Sequence, residues 1–499
     1  MSLGRTAVVL GGSVAGLCSA GALAAYFDEV IVLERDELPP DARHRRGVPQ
    51  SKHPHFLLNS GRRAINDLFP GFEEDLIAAG GLHLTASMDT AYLEGPGWTP
   101  RKQGALDMVY GSRILIERVL RDKVRGLPNV TIREGASVTG IDTTGGGTPQ
   151  GRVTGVSFST SEGEERIAAG FVVDAMGRGS SVSDWLVAAG WPETPVKTLD
   201  AKVTYVSRWY DLPAPEDRSP TWWWQHLVIM PTQDKGEHPP EHEFLVNFFP
   251  MEGNRSIACM GSWGIDMPRT VDDFTASAER LRTPQFAAAM AASTPTSEVH
   301  LTRSTGNKWR RYDQLPTAPE GIAFVGDAIC GFNPFYGQGM SAAAMSAVLL
   351  RDALRSATKL DQSFHRRLLT AQRKNLEVAW GMAMARDRGY ECATGTETVP
   401  AWQRRILAAM TWPMFNLITG ASREYPVVDE HFARVFNLDE SIGDMMRNPR
   451  VLWALLRFKV RAMTGRLTFP FGFDSQLEPP GKDWTPGADP EAALASEPR

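Results

Sequence analysis

The chain has 499 residues, of which 42% are hydrophobic and 22% charged, and a formal charge of −5. This excludes a collagen-like or disordered chain, gives no general attraction to nucleic acid or anionic membrane, and suits about two or three globular domains. Cys18, Cys259, Cys330 and Cys392 stand far apart with no CxxC, so neither a disulfide framework nor a thiolate zinc site is expected, and the expected compartment is reducing, the cytoplasm.

Thr6–Leu10 is a short apolar run that predicts a buried parallel strand, and the small residues after Gly16 predict a closely packed helix. A second strand over Val30–Leu33 ends at Glu34-Arg35, completing a βαβ opening. The stretch from Leu38 to Arg63 is basic, and Arg43, Arg45, Arg62 and Arg63 read as solvated. Arg113–Val124 has helical spacing, Val130–Ile141 alternates like one strand, and Val153–Phe158 is expected to form a hairpin with it across a Gly/Thr-rich turn. Ile167–Val173 predicts a strand that stops at Asp174. From Trp185 to about Tyr312 the chain becomes rich in Trp and Phe, with alternating runs at Lys202–Tyr210, Phe244–Phe249 and Ser256–Trp263, as in an antiparallel sheet. Gly321–Asp327 is again a buried strand ending in a carboxylate, ahead of a helix near Ser341. Residues 364–466 are helical in pattern, with breaks near Pro400, Pro413, Pro426 and Pro449; the last 27 residues hold five prolines and predict a disordered tail.

Two stretches, Thr6–Phe27 and Ala328–Leu350, carry no charge over 22 and 23 residues. Their glycines, together with Asn333, Pro334 and Gln338 in the second, argue against a membrane span. Gly11-Gly-Ser-Val-Ala-Gly16 follows a strand and opens a helix, the setting a dinucleotide loop requires: a tight turn, close backbone approach to a pyrophosphate, and tight helix-strand packing. Glu34 lies 18 residues past Gly16, where a carboxylate accepts from ribose hydroxyls. Asp327 precedes a loop with Pro334, Gly337 and Gly339, and the following helix N-terminus suits the electron-rich edge of a flavin.

These residues resemble the group A, aromatic-hydroxylase-like FAD-dependent monooxygenases at three places: GGSVAG with Glu34-Arg35, Asp174-Ala-Met-Gly-Arg178, and Gly326-Asp327 with Pro334 and Gly337-Gln-Gly339. Arg46-Gly-Val-Pro-Gln50 with His53 and His55 further resembles the branch of bacterial polyether-type natural-product epoxidases. The resemblance implies an α/β fold: a Rossmann-like FAD-binding domain of glutathione-reductase type (residues 1–80, 105–185 and 305–360), an inserted mixed or antiparallel β-sheet substrate domain (81–104 and 186–304), a helical C-terminal region (361–472) and a tail (473–499). It places Gly11, Ser13, Val14, Ala15 and Gly16 at the pyrophosphate, Glu34 at the ribose and Arg35 on the adenine side, with Val138 meeting adenine through its backbone. Arg46 and Arg113 would approach the phosphate and ribityl region, Gln50 would belong to the cofactor-binding set, Asp327 would take a ribityl hydroxyl or a phosphate-bound water, and Gly339 and Met340 would meet the flavin ring; Asp174 belongs to the altered middle motif, in the family linked to NADPH.

The implied activity is insertion of one oxygen atom of O2, by epoxidation or hydroxylation through a flavin C4a-hydroperoxide, into a large apolar natural product such as a polyene, polyketide, terpenoid or aromatic. No side-chain nucleophile is needed. Pro334, Phe335, Tyr336, Gly337 and Gln338 would lie at the flavin ring, and Trp209, Trp223, Phe248 and Trp263 are candidates for an apolar substrate pocket. With one dinucleotide loop visible, electrons would come from transiently bound NADPH or NADH, or from a flavin reductase partner. The alternatives are an FAD-dependent reductase or dehydrogenase of isoprenoid-like double bonds, a flavin-dependent halogenase, whose WxWxIP motif is not reproduced by Trp222-Trp-Trp-Gln-His-Leu, and a non-enzymatic FAD-fold binding protein.

His238-Pro-Pro-Glu-His242 matches a zinc-protease pattern, but two prolines oppose the helix that pattern needs, so no metal is expected. Arg404–Arg466 mixes apolar and basic positions; packing over the substrate opening is favoured there over contact with a membrane surface.

Overall fold

The computed structural model describes residues 2–95, 97–101, 107–148, 150–231, 244–302, 305–468 and 479. The His238–His242 pattern and, apart from Pro479, the tail from 473 lie outside the described residues.

Strands Gly4–Leu10 and Phe27–Leu33 pair in parallel and are joined by the helix Val14–Ala24. They sit in a five-stranded parallel sheet ordered Ile322–Phe324, Phe171–Asp174, Gly4–Leu10, Phe27–Leu33, Val130–Arg133. Alternate residues of each strand enter opposite cores: Ala7, Val9, Val30 and Val32 pack on one face, and Val8, Leu10, Ile31 and Leu33 on the other. Burial on both faces explains why these strands read as continuous apolar runs.

The expected strand Val130–Ile141 is two strands in different sheets, Val130–Arg133 beside Phe27–Leu33 and Ser137–Thr144 in a three-stranded antiparallel sheet. Gly135, at φ 65°, makes the turn between them. Ile167–Val173 is likewise divided, between Gly163–Ala168 in the small sheet and Phe171–Asp174 in the parallel one.

An eight-stranded sheet forms the second layer, with Val203–Asp211, Arg255–Trp263, Leu245–Met251, His226–Ile229 and Thr90–Glu94 as successive neighbours. One face packs on the helices Val271–Glu279 and Gln285–Ala291 through Phe274, Ala278, Phe286 and Ala289. The other face turns toward the parallel-sheet half, where Ser207 meets His53 and Gly261 meets Phe335. The remaining chain is mainly helical, with the helices Gln362–Asp387, Ala401–Glu424, Pro426–Phe436 and Pro449–Met463. Pro426 and Pro449 start helices, where a missing N–H costs nothing, whereas Pro413 lies inside one without ending it.

Candidate active site

The parallel strands end together. Leu10 is in register with Leu33 and Asp174, and Asp174 with Phe324, so the loops after all four strands open on one edge, where ligands of such sheets bind. Gly11 has φ 100°, and a Cβ there would stand 2.8 Å from the Ala175 carbonyl oxygen. A Cβ on Gly16 would overlap the Gly11 carbonyl oxygen at 1.8 Å. Both glycines are therefore required by backbone crowding, Gly11 by the turn after Asp174 and Gly16 by its own loop. Val14 is buried and Ala15 half-buried at the start of the helix, whose first amides have no intrahelical partner.

Glu34 is buried against this loop: its Oε2 accepts from the Gly12 amide at 2.8 Å and its Oε1 from the Asp36 amide at 3.0 Å. Beside it the structure gathers a cluster that the sequence did not reveal. Arg45 donates from Nε to Glu117 at 2.8 Å and from Nη1 to Asp36 at 2.8 Å, and Nη1 lies 3.1 Å from Glu34 Oε1. Burial works against the Arg45 charge, but Glu117 and Glu34 outweigh it and raise its pKa. Ser13 donates to Glu117 at 2.9 Å and accepts from Arg113 Nη2 at 2.7 Å. Arg46, Arg35 and Gln50 are exposed. The structure therefore places Arg45, expected as solvated, inside the acidic cluster, and Arg46, expected at the phosphates, on the surface. The turn fixed by the Asp36 carboxylate accepting from the Gly47 amide at 2.7 Å faces residue 45 inward, a relation between residues eleven apart that composition does not expose. Val138 is half-buried, and two residues before it Ala136 donates its amide to the Glu34 carbonyl at 2.8 Å.

Asp174 has no exposure; its carboxylate accepts from the Ser180 hydroxyl at 2.6 Å and the Met176 amide at 3.1 Å, and burial pushes its pKa up to about 6. It holds the turn of the middle motif from below. Arg178, in that turn, donates to Asp327 at 3.1 Å and also binds the Phe332 carbonyl. Arg310 clamps both turns through the carbonyls of Ala328 at 3.0 Å and Arg178 at 3.0 Å. The two glycine loops touch: a Cβ on Gly326 would stand 2.8 Å from Ala15 Cβ. A Cβ on Gly339 would meet only Asp327 Oδ1, at 3.9 Å, so the N-terminus of the helix Gly339–Arg355 faces open space beside Asp327. Met340 is buried in the adjoining core.

Between the loops and the second sheet lies Asp387, at the C-terminal end of the helix Gln362–Asp387 and with no exposure. Its carboxylate accepts from Tyr336 at 2.7 Å, Asn307 at 2.7 Å, Asn333 at 3.1 Å and Trp263 at 3.1 Å. Phe335 packs on Trp263, with ring centroids 4.8 Å apart, and fits over Gly261, where a Cβ would lie 2.1 Å from its Cζ. Pro334 is exposed, Gly337 adopts φ 64°, and the buried Gln338 donates to Met382 Sδ at 3.4 Å while its Oε1 has no partner. Of the four pocket aromatics, Trp263 and Trp209 are on the inward face, Trp209 donating to the Lys52 carbonyl at 2.9 Å. Phe248 and Trp223 pack instead with the core of the opposite face. The inward face is also more polar than the expected apolar pocket: Ser207 contacts His53, Asn247 contacts His226, and His226 contacts Tyr110.

No protein-family model matches the chain. It is 32% identical over 456 residues to Protein Rv3254 of Mycobacterium tuberculosis, covering 87% of this chain and 90% of that protein. The chain belongs to the Rv3254 family. Among solved structures, it is similar to the flavin-dependent brominase Bmp2 at a TM-score of 0.61 and 13% identity, over 93% of this chain and 99% of that one. It is also similar to PqsL, a probable FAD-dependent monooxygenase from Pseudomonas aeruginosa, at a TM-score of 0.58 and 15% identity, over 82% of this chain and 100% of that one. This member of the Rv3254 family therefore has the fold shared by those flavoproteins.

The residues present fit such a cofactor. The crowded glycine loop leaves no room for side chains where a pyrophosphate would approach, and the adjoining pocket includes Arg43, Arg45, Arg113 and Arg121 with Asp41 and Glu117 in its lining. Arg45 Nη2 and Arg113 Nε are buried there without a hydrogen-bond partner, donors suited to phosphate oxygens. Among the described residues no group of His, Cys, Asp and Glu could hold a metal ion.

Proposed function

We propose that this chain is an FAD-dependent monooxygenase acting on a small organic molecule that carries an alkene or an electron-rich ring. The observation that carries the reading is the meeting of two glycine loops at the ends of the parallel strands, with the second loop fastened by Asp387 to the inward face of the second sheet. In this reading the parallel-sheet half is a Rossmann-like domain of glutathione-reductase type. Gly11, Ser13 and Gly16 with Arg45 and Arg113 hold the pyrophosphate, Glu34 the ribose, Asp327 the ribityl chain, and the Gly339 and Met340 amides the flavin ring. Bound and reduced FAD supplies the oxygen-activating chemistry.

The chain's own residues orient the substrate and exclude water. Phe335, Trp263 and Tyr205 form an apolar wall, Tyr205 and Phe335 standing 5.9 Å apart by ring centroid. Tyr92 and Glu94 lie at the edge of the inward face, and burial, opposed by Arg423 and Tyr92, pushes the Glu94 pKa up to about 7. Near neutral pH that carboxyl can hold or release a proton. A nicotinamide dinucleotide is the proposed electron donor. The test is turnover under 18O2 with NADPH or NADH and a panel of polyenes and phenols: one labelled oxygen atom per product supports the reading. Product reduced or dehydrogenated without label would favour a reductase or dehydrogenase, and bromide-dependent brominated product a halogenase.

A further inference from the structure

At the C-terminal end of the described chain, an apolar helix face points outward. In Pro449–Met463, Val451, Ala454, Leu455 and Phe458 are buried against Ile418 and Ala421 of the preceding long helix and Val428 of the next. Steps of about 100° per residue put Leu452, Trp453, Leu456, Val460 and Met463 in one arc directly opposite that buried stripe. Their exposure runs from 44% at Leu452 to 80% at Met463. Arg450 and Arg457 border one side of the arc and Lys459 the other. The helix contains no Asp or Glu, and among the described residues no carboxylate pairs with those three cations. The first half of the neighbouring helix Ala401–Glu424 repeats the pattern: Trp402, Ile406, Met410 and Met414 are exposed at every fourth position, and Arg404 and Arg405 are its only charges before Arg423.

We infer that these helices dock the protein on the surface of a bilayer rich in anionic phospholipid. A contiguous exposed apolar face marks a contact surface, and its cationic border selects the partner. Cations on long stems beside an apolar arc place their charge at phosphate level while the arc enters the acyl boundary, with Trp453 at the interface. A second copy of the chain is disfavoured as the occupant, because a face-to-face pairing would set Arg450, Arg457 and Lys459 against like charges with no acid in the helix to meet them. Among the described residues no helix is long and apolar enough to cross a membrane, so the contact is superficial. The overall charge of −5 repels an anionic surface, and the local cations orient the molecule so that this end approaches.

The test is co-sedimentation of the full FAD-loaded chain with vesicles of phosphatidylcholine alone and with about one third phosphatidylglycerol, together with light scattering. The expected result is binding to the anionic vesicles at least tenfold tighter than to the neutral ones, weakening with salt. Leu456→Glu with Val460→Glu should abolish it, and Arg457→Glu with Lys459→Glu should weaken it at least tenfold, while both variants keep the flavin spectrum of the parent. Failure to sediment with either vesicle at low salt would overturn the inference, as would binding that Leu456→Glu with Val460→Glu leaves intact. A dimer that these charges dissolve, without vesicle binding, would assign the face to a second copy.

Discussion

The Tyr336 hydroxyl donates to Asp387 at 2.7 Å, joining the loop ahead of the helix Gly339–Arg355 to a helix that ends fifty-one residues later. The same carboxylate also collects Asn333, Asn307 and Trp263, so the loop ahead of the helix Gly339–Arg355 and the inward face of the eight-stranded sheet share one buried acceptor. Removing a buried acceptor with several donors leaves those donors unpaired. Asp387→Ala should destabilise the fold by at least about 1–3 kcal/mol in thermal or denaturant unfolding. Tyr336→Phe removes one donor and should cost about 1 kcal/mol, but it should lower turnover more than FAD affinity, because Tyr336 lies on the loop facing the sheet.

Arg45 and Arg46 have opposite environments despite being adjacent. Arg45→Ala removes charge-assisted bonds to Glu117 and Asp36 and leaves the buried Glu117 with Arg113 as its ion-pair partner. It should reduce FAD affinity at least tenfold, about 1.4 kcal/mol, and lower the melting temperature. Arg46→Ala, at an exposed position, should leave both within about 0.5 kcal/mol. Equilibrium FAD titration and thermal melts of the two variants decide between them.

Gly261 lets Phe335 rest on the sheet. Gly261→Ala should push that ring away and cost about 1–3 kcal/mol by overpacking, with a raised KM for substrate. Adding Phe335→Ala should recover part of the stability lost, a positive coupling measurable by a double-mutant cycle.

Stability should fall on acidification. Burial lowers the pKa of His53 and His365 from 6.5 to about 3 and of His226 to about 4. Each is lower folded than unfolded, so the unfolded chain takes up the proton first; this stability is full above pH 6.5 and is lost as pH falls toward the folded values. Each histidine costs about 2 kcal/mol by pH 5. Asp174 and Glu94 act oppositely, their pKa values being raised by burial to about 6 and about 7, and they return about 1–2 kcal/mol each over that range. The balance is a net loss between pH 7 and pH 5, which denaturant unfolding at the two pH values measures. Replacing His365, whose Nε2 accepts from the Gly321 amide at 3.0 Å, with Asn should shrink the loss.

Local patterns in the sequence carry much of the parallel-sheet half. Apolar runs buried on both faces, a glycine crowded by its own loop, and an acid at a strand end all act within a few tens of residues, as at Gly16 and Glu34, whereas the crowding at Gly11 comes from Ala175 of the middle motif. Relations that depend on folding at a distance are not legible in this way. Asp387 sits in a helical run whose pattern says nothing of the four groups it collects, and Arg45 is told from Arg46 only by the turn that Asp36 holds. Alternation in Phe244–Phe249 identifies a strand but not which face meets the parallel-sheet half, so Phe248 reads the same as residues on the inward face. Gly135, and Ala169-Gly170 between the strands Gly163–Ala168 and Phe171–Asp174, divide runs that periodicity joins.

The central claim is that the two glycine loops together hold FAD. The most direct measurement is a spectrophotometric titration of FAD into flavin-free protein, for the parent and for Glu34→Ala and Asp327→Ala. The expected result is one FAD per chain for the parent and at least tenfold weaker binding in each variant. A parent that takes up no FAD, or variants that bind it as tightly as the parent, would contradict it.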